Sequence, residues 1–123
     1  MRRVQYFTLN GKRPEACSSL LRWGAWMQTA DRRVALTKVD DFAVSTVFLG
    51  MDHGWNSKVP ILFETMVFCA DDGGDRMQRY ATWEEAEAGH ARVVAEVREQ
   101  ISRSSVDAAS VLARVREALA KGS

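Results

Sequence analysis

Two histidines, His53 and His90, hold most of the chemical options of this chain. Imidazole changes charge near neutral pH, and its neutral form binds metals. His53 follows Asp52 in the stretch Gly50-Met51-Asp52-His53-Gly54-Trp55-Asn56. A carboxylate beside an imidazole can orient it or share a metal with it. His90 follows Glu87 by three residues, a spacing that lets both reach one ligand from a helix. Carboxylate-bridged two-metal bundles need such a pair on two helices, and here it occurs once. Glu64 is the one charge inside an otherwise apolar run, and if buried it needs a partner or a raised pKa. Asp52, His53, Glu64 and His90 therefore define one reading, a metal-dependent or general-base enzyme, which requires the fold to bring them together. Each also has a structural alternative. The glycines around His53 suit a polar turn, His90 sits in an apolar stripe where a hydrogen-bonded core histidine is common, and Glu64 suits an exposed position or an arginine pair.

Other chemistries leave no trace. There is no Gly-x-x-x-x-Gly-Lys loop, no dinucleotide-binding glycine pattern, no Gly-x-Ser-x-Gly elbow and no Cys-x-x-Cys. No cofactor or metal is assigned. Cys17 and Cys69 share no short spacing, so free thiols in a reducing compartment are expected. No apolar run approaches the ~20 residues that cross a bilayer. Residues 59–68 come closest, and Pro60 and Glu64 interrupt them. The first residues lack the apolar core of a secretion signal, which points to the cytoplasm.

The elements that must position these residues follow from periodicity and punctuation. The 123 residues, with 46% apolar and 27% charged, fit one domain with its own core. Residues 4–9 read as a strand, and Asn10-Gly11 as a turn. Pro14 suits the first turn of a helix over residues 14–29. Strands are expected at residues 33–39, 44–49, 61–68 and 77–80. The second and third are apolar on both faces, which predicts central strands. Asp71 to Asp75 reads as a turn. Thr82-Trp83-Glu84-Glu85 is a capping box for a helix with the stripe Trp83, Ala86, His90, Val93, Val94, Val97 and Ile101. Ser104-Ser105 can cap a separate, peripheral helix over residues 102–121. The expected fold is α+β: an antiparallel sheet of four to five strands with two to three helices, in the order β-α-β-β-β-β-α-α.

Net charge is +1, but it is segregated along the chain. Residues 1–38 carry eight basic residues against two acids, and residues 39–90 carry ten acids against three basic residues. If folding keeps these blocks apart, the surface has a basic and an acidic side. Arg2, Arg3, Lys12, Arg13, Arg22, Arg32 and Arg33 near Tyr6, Trp23 and Trp26 are the residues a nucleic-acid reading would use. The pI of about 7.8, the acidic middle and the lack of a reading motif oppose it. For protein binding, Trp23, Trp26 and Trp55 are the candidate aromatic anchors. Asp71, Asp72 and Asp75 are the candidate acidic patch for an arginine-rich partner. Of the tryptophans, Trp83 is expected to be buried and at least one other exposed.

Three segments carry a resemblance. Val44-Ser45-Thr46-Val47-Phe48-Leu49-Gly50-Met51-Asp52-His53, Leu62-Phe63-Glu64-Thr65-Met66-Val67-Phe68 and Arg79 to His90 resemble a family of small uncharacterised proteins of bacteriophages and prophages. Tyr6 to Gly11 and the tryptophan-bearing segment after it are similar too, so the likeness covers about residues 5–98. Asn56-Ser57-Lys58-Val59 departs from the family's Gly- and Pro-rich loop. The resemblance brings context without a catalytic residue. It implies a phage or prophage accessory protein in the bacterial host cell that binds a host or phage protein. One concrete form is an inhibitor of host defence, like an anti-CRISPR protein. A virion assembly or structural protein, self-associating through its last helix, is the third reading.

Overall fold

The computed structural model describes residues 5–54, 58–69 and 73–121, with side chains at all of these except 73–76, 105–111 and 121. Asn10-Gly11 turns the chain tightly: β1 (Tyr6–Asn10) and β2 (Arg13–Cys17) form an antiparallel hairpin with Asn10 opposite Arg13. The strand β2 stands where the sequence reading begins a helix. A tight hairpin draws the residues after it into pairing, and Pro14, opposite Leu9, is tolerated in a two-stranded ribbon because every strand there is an edge. The helix α1 (Leu20–Thr29) starts only at Ser19, whose hydroxyl accepts the Arg22 N–H at 3.2 Å.

The next four strands are β3 (Arg33–Val39), β4 (Phe42–Phe48), β5 (Phe63–Cys69) and β6 (Gly73–Tyr80). They form an antiparallel meander in chain order, which puts β4 and β5 in the centre as their apolar sequences require. The fourth strand of the sheet is longer than its sequence signal: it begins at residue 73 and takes in residues 73–75 of the expected turn. The chain ends in one helix, α2 (Trp83–Lys121), of 39 residues rather than two. Its start is the expected cap, with the Glu85 N–H donating to the Thr82 hydroxyl at 3.1 Å. No Gly or Pro lies between His90 and Lys121, and two serines cost too little helix propensity to break it. The class and general layout are therefore the expected ones: α+β, with a four-stranded antiparallel sheet under a C-terminal helix.

Alternation along the strands sends Val44, Thr46 and Phe48 of β4 and Phe63, Thr65 and Val67 of β5 toward α2, where all six are buried. The core has two lobes along that interface. Phe48, Phe63, Tyr80 and Ala86 meet Phe7 and the partly buried Trp26 and Trp83 at one end. Val44, Val67, Val93, Val94 and Val97 meet Val39, Phe42 and Ile101 at the other. Among the described side chains Ile101 is the last of α2 packed into either lobe, and residues 112–120 are all exposed.

Candidate functional site

The segment after β4 is closed by its own backbone. Gly50 has a left-handed φ of +79°, and a Cβ there would meet the Met27 sulfur at 2.9 Å. Its carbonyl accepts the Phe7 N–H at 2.8 Å and the Trp23 indole N–H at 3.0 Å, which ties the hairpin and α1 to the sheet. Asp52 does not act on His53 through Oδ1. That oxygen accepts the Gly54 N–H at 2.8 Å and the Ile61 N–H at 2.9 Å, closing the loop. His53 is exposed, anchored by its backbone N–H to the Ile61 carbonyl at 3.0 Å.

Glu64 lies opposite Arg79 in the sheet register and accepts its Nε–H at 3.0 Å. A cross-strand ion pair thus explains the charge within an apolar strand. Because Thr65 points toward α2, its neighbour Glu64 points to the other side of the sheet, away from His90.

His90 is buried between α2 and the sheet. Its Nδ1 lies 2.8 Å from the Thr46 hydroxyl and its Nε2 lies 2.9 Å from the Thr37 hydroxyl. Thr46 continues to Thr65 at 2.6 Å. A neutral imidazole donates through one nitrogen and accepts through the other, so this set is fully satisfied without charge. Burial lowers the His90 pKa from its usual 6.5. Glu87, its proposed co-ligand, instead faces Lys12 at 3.9 Å on the surface.

The structure therefore does not bring the four enzyme candidates together. His53 is in a surface loop, Glu64 is on one side of the sheet, and His90 is on the other with both nitrogens bonded. Among the described residues no group of three His, Cys, Asp or Glu side chains is placed to hold a metal. The network of Thr37, Thr46 and Thr65 escaped the sequence reading. Its signal was a threonine flanked by apolar residues two positions away on each central strand: Val44-x-Thr46-x-Phe48 and Phe63-x-Thr65-x-Val67.

A pH dependence follows from His90. The unfolded chain takes up a proton below about pH 6.5, whereas the folded chain resists doing so, so the unfolded state binds more protons. The contribution of a neutral His90 is complete above 6.5 and is lost as pH falls through and below that value. Urea unfolding from pH 8 to 5 is expected to show falling stability in the native chain and a flatter profile in His90→Gln.

The tryptophan anchors are partly used inside the fold. The Trp23 indole donates to the Phe7 carbonyl at 3.1 Å and to Gly50, and its ring centroid lies 4.7 Å from that of Tyr6. Trp26 meets Phe48 edge-on at 5.9 Å, and Trp83, half-buried rather than buried, meets Phe63 edge-on at 6.1 Å. Neither Trp23 nor Trp26 is exposed. Trp55, Asp71 and Asp72 lie outside the described residues, as does the side chain of Asp75. Among the described residues no helix is long and apolar enough to cross a membrane.

What the sequence read as burial on both sides of the sheet is burial on one. The face away from α2 carries a row across all four strands, Leu36–Ser45–Met66–Met77, fixed by the register. Leu36 is 42% exposed, Met77 54% and Phe68, one row further, 40%. Arg33, Lys38 and Arg79 stand around this apolar strip, each exposed, with Arg79 paired to Glu64 on the same face. An uncovered apolar strip with a basic border is suited to hold a protein surface rather than to do covalent chemistry. In comparisons with known proteins, no family model matches the chain, and no curated protein and no solved structure matches it.

Proposed function

We propose that this chain is a phage or prophage accessory protein that acts by binding another protein, a component of host defence, through the open face of its four-stranded sheet. The observation that carries the binding reading is the uncovered row Leu36–Ser45–Met66–Met77 with Phe68 beside it. Large exposed apolar side chains on one rigid surface favour association, because covering them removes apolar area from water. One of them, Met77, is a methionine beside the half-buried Met66, and flexible thioethers adapt to an irregular partner. The border holds Arg33, Lys38 and the Arg79–Glu64 pair, a basic excess that favours a partner with acidic residues beside its apolar contact. The phage setting and the host-defence target rest on the three resembling segments.

Tagged chain added to nuclease-treated bacterial lysate is expected to retain one protein in stoichiometric amount. Leu36→Glu/Met77→Glu, at two exposed positions, is expected to keep the fold and lose at least nine-tenths of the capture, since buried charge weakens an interface by roughly tenfold or more. In a host that carries the matching defence, the native chain should raise phage plating and the double variant should not. No stoichiometric partner, or equal capture by the double variant, contradicts the proposal.

A further inference from the structure

The far half of α2 has a surface problem that its own sheet does not solve. Residues 102–121 continue the helix for about 30 Å at the usual rise per residue. Leu112, Val115 and Leu119 are 57%, 48% and 70% exposed. Leu112 follows Ile101, which packs on the sheet, by eleven positions, close to three full turns. Val115 and Leu119 follow at spacings of three and four. Leu112, Val115 and Leu119 therefore stand in phase with the stripe that faces the sheet in the first half, and all three are exposed.

We propose that a second copy of this chain covers it, with the two far halves of α2 paired antiparallel about a two-fold axis near residue 110. In that register Ile101 of one copy lies opposite Leu119 of the other, and Leu112 and Val115 fill the middle, the alternating three-four spacing that knobs-into-holes packing uses. The direction follows from the fold. Because the stripe is on the sheet side of the helix, a parallel pair would drive the two sheets into the same space. The antiparallel pair sets each helix tip beyond the end of the other sheet.

Charge selects a second copy over an unrelated helix. The sheet end next to Ile101 is the β3–β4 turn, whose flanking Val39 and Phe42 pack in the same lobe as Ile101. That turn is Asp40-Asp41, both exposed. The tip that arrives there carries Arg114, Arg116 and Lys121 against one acid, Glu117. The two-fold makes this match twice, basic tip on acidic turn in each direction.

This pairing uses a different surface from the open sheet face, so either idea can fail without the other. The test is the solution mass of the full chain by light scattering across about 1 to 100 µM, the range in which a modest helical interface dissociates. Twice 13.8 kDa at the upper end is expected, falling toward 13.8 kDa on dilution. Val115→Asp/Leu119→Asp should be monomeric throughout and melt cooperatively, with a circular-dichroism curve close to that of the native chain at about 1 µM, where the dimer has dissociated. Asp40→Asn/Asp41→Lys should weaken the dimer at least tenfold at low salt, and adding Arg114→Glu/Arg116→Glu should recover part of that loss. Asn is chosen at position 40 because Asp40 has φ of +52°, which Asn tolerates. A native chain that is monomeric at every concentration overturns the proposal. So does a dimer that survives Val115→Asp/Leu119→Asp, or one indifferent to the Asp40-Asp41 change.

Discussion

Phe63→Ala is expected to lower the unfolding free energy by about 3–5 kcal/mol, the cost of deleting a fully buried aromatic ring. Phe63 has no exposed surface and sits where the layers of the fold meet. Its ring lies 5.3 Å from Phe48 and 6.1 Å from Trp83, and its backbone pairs with Phe48 on one side and Tyr80 on the other. Truncation leaves a cavity bounded by strand backbones and by α2, elements that cannot close on it without breaking their own hydrogen bonds. A domain of this size is stable by roughly 5–15 kcal/mol, so the loss is about a fifth of the total or more. Phe68→Ala on the same strand is the control. Phe68 is on the open face and 40% exposed, so its loss should be about 1 kcal/mol or less. Urea titrations followed by tryptophan fluorescence compare the two directly.

Gly89→Ala is expected to destabilise the chain by about 1–3 kcal/mol, against the usual trend for a helix interior. Replacing Gly by Ala within a helix normally stabilises it by up to about 1 kcal/mol. At Gly89, however, an added Cβ would fall inside the van der Waals surface of the Tyr80 ring. Tyr80 is buried, and its hydroxyl donates to the Gln78 side chain at 3.2 Å, which also accepts from Arg92 at 3.3 Å. The ring cannot step aside, so α2 or β6 must move, and overpacking of this kind outweighs the helix gain. Gly24→Ala in α1, where nothing lies within 4 Å of the added carbon, should instead stabilise by about 0.5–1 kcal/mol. In a Tyr80→Ala background the cost of Gly89→Ala should largely vanish, a coupling that a double-mutant cycle reads out.

The parts of the fold that were legible in the sequence are those whose signal is local. The α2 stripe from Trp83 to Ile101 is periodic, and Thr82 announces its start. The central strands are rich in Val, Phe and Thr. By contrast β2 has the sequence Arg-Pro-Glu-Ala-Cys, with no β-branched residue and no alternation, and its strand conformation comes from pairing with β1. Joining the two expected C-terminal helices turned on a weak feature, a serine pair that either caps a helix or is passed over by one. At the site, His90 was legible as an imidazole in an apolar stripe, but its partners lie on β3 and β4, and only the sheet register brings Thr37 and Thr46 to it. The open face was misread for a related reason. An apolar strand face records what the residues can bury, and among the described residues Leu36 and Met77 stay exposed, with Met66 half-buried between them.

Binding through that face is the central claim, and methionine methyl groups report on it directly. Met66 and Met77 lie on the face, whereas Met27 packs against Gly50 and Met51 pairs with Tyr6 at the hairpin end of the fold. Methyl NMR of the full chain, with the captured partner added, is predicted to shift or broaden Met66 and Met77 and leave Met27 and Met51 in place. Movement of Met27 and Met51 with Met66 and Met77 unchanged would contradict the account.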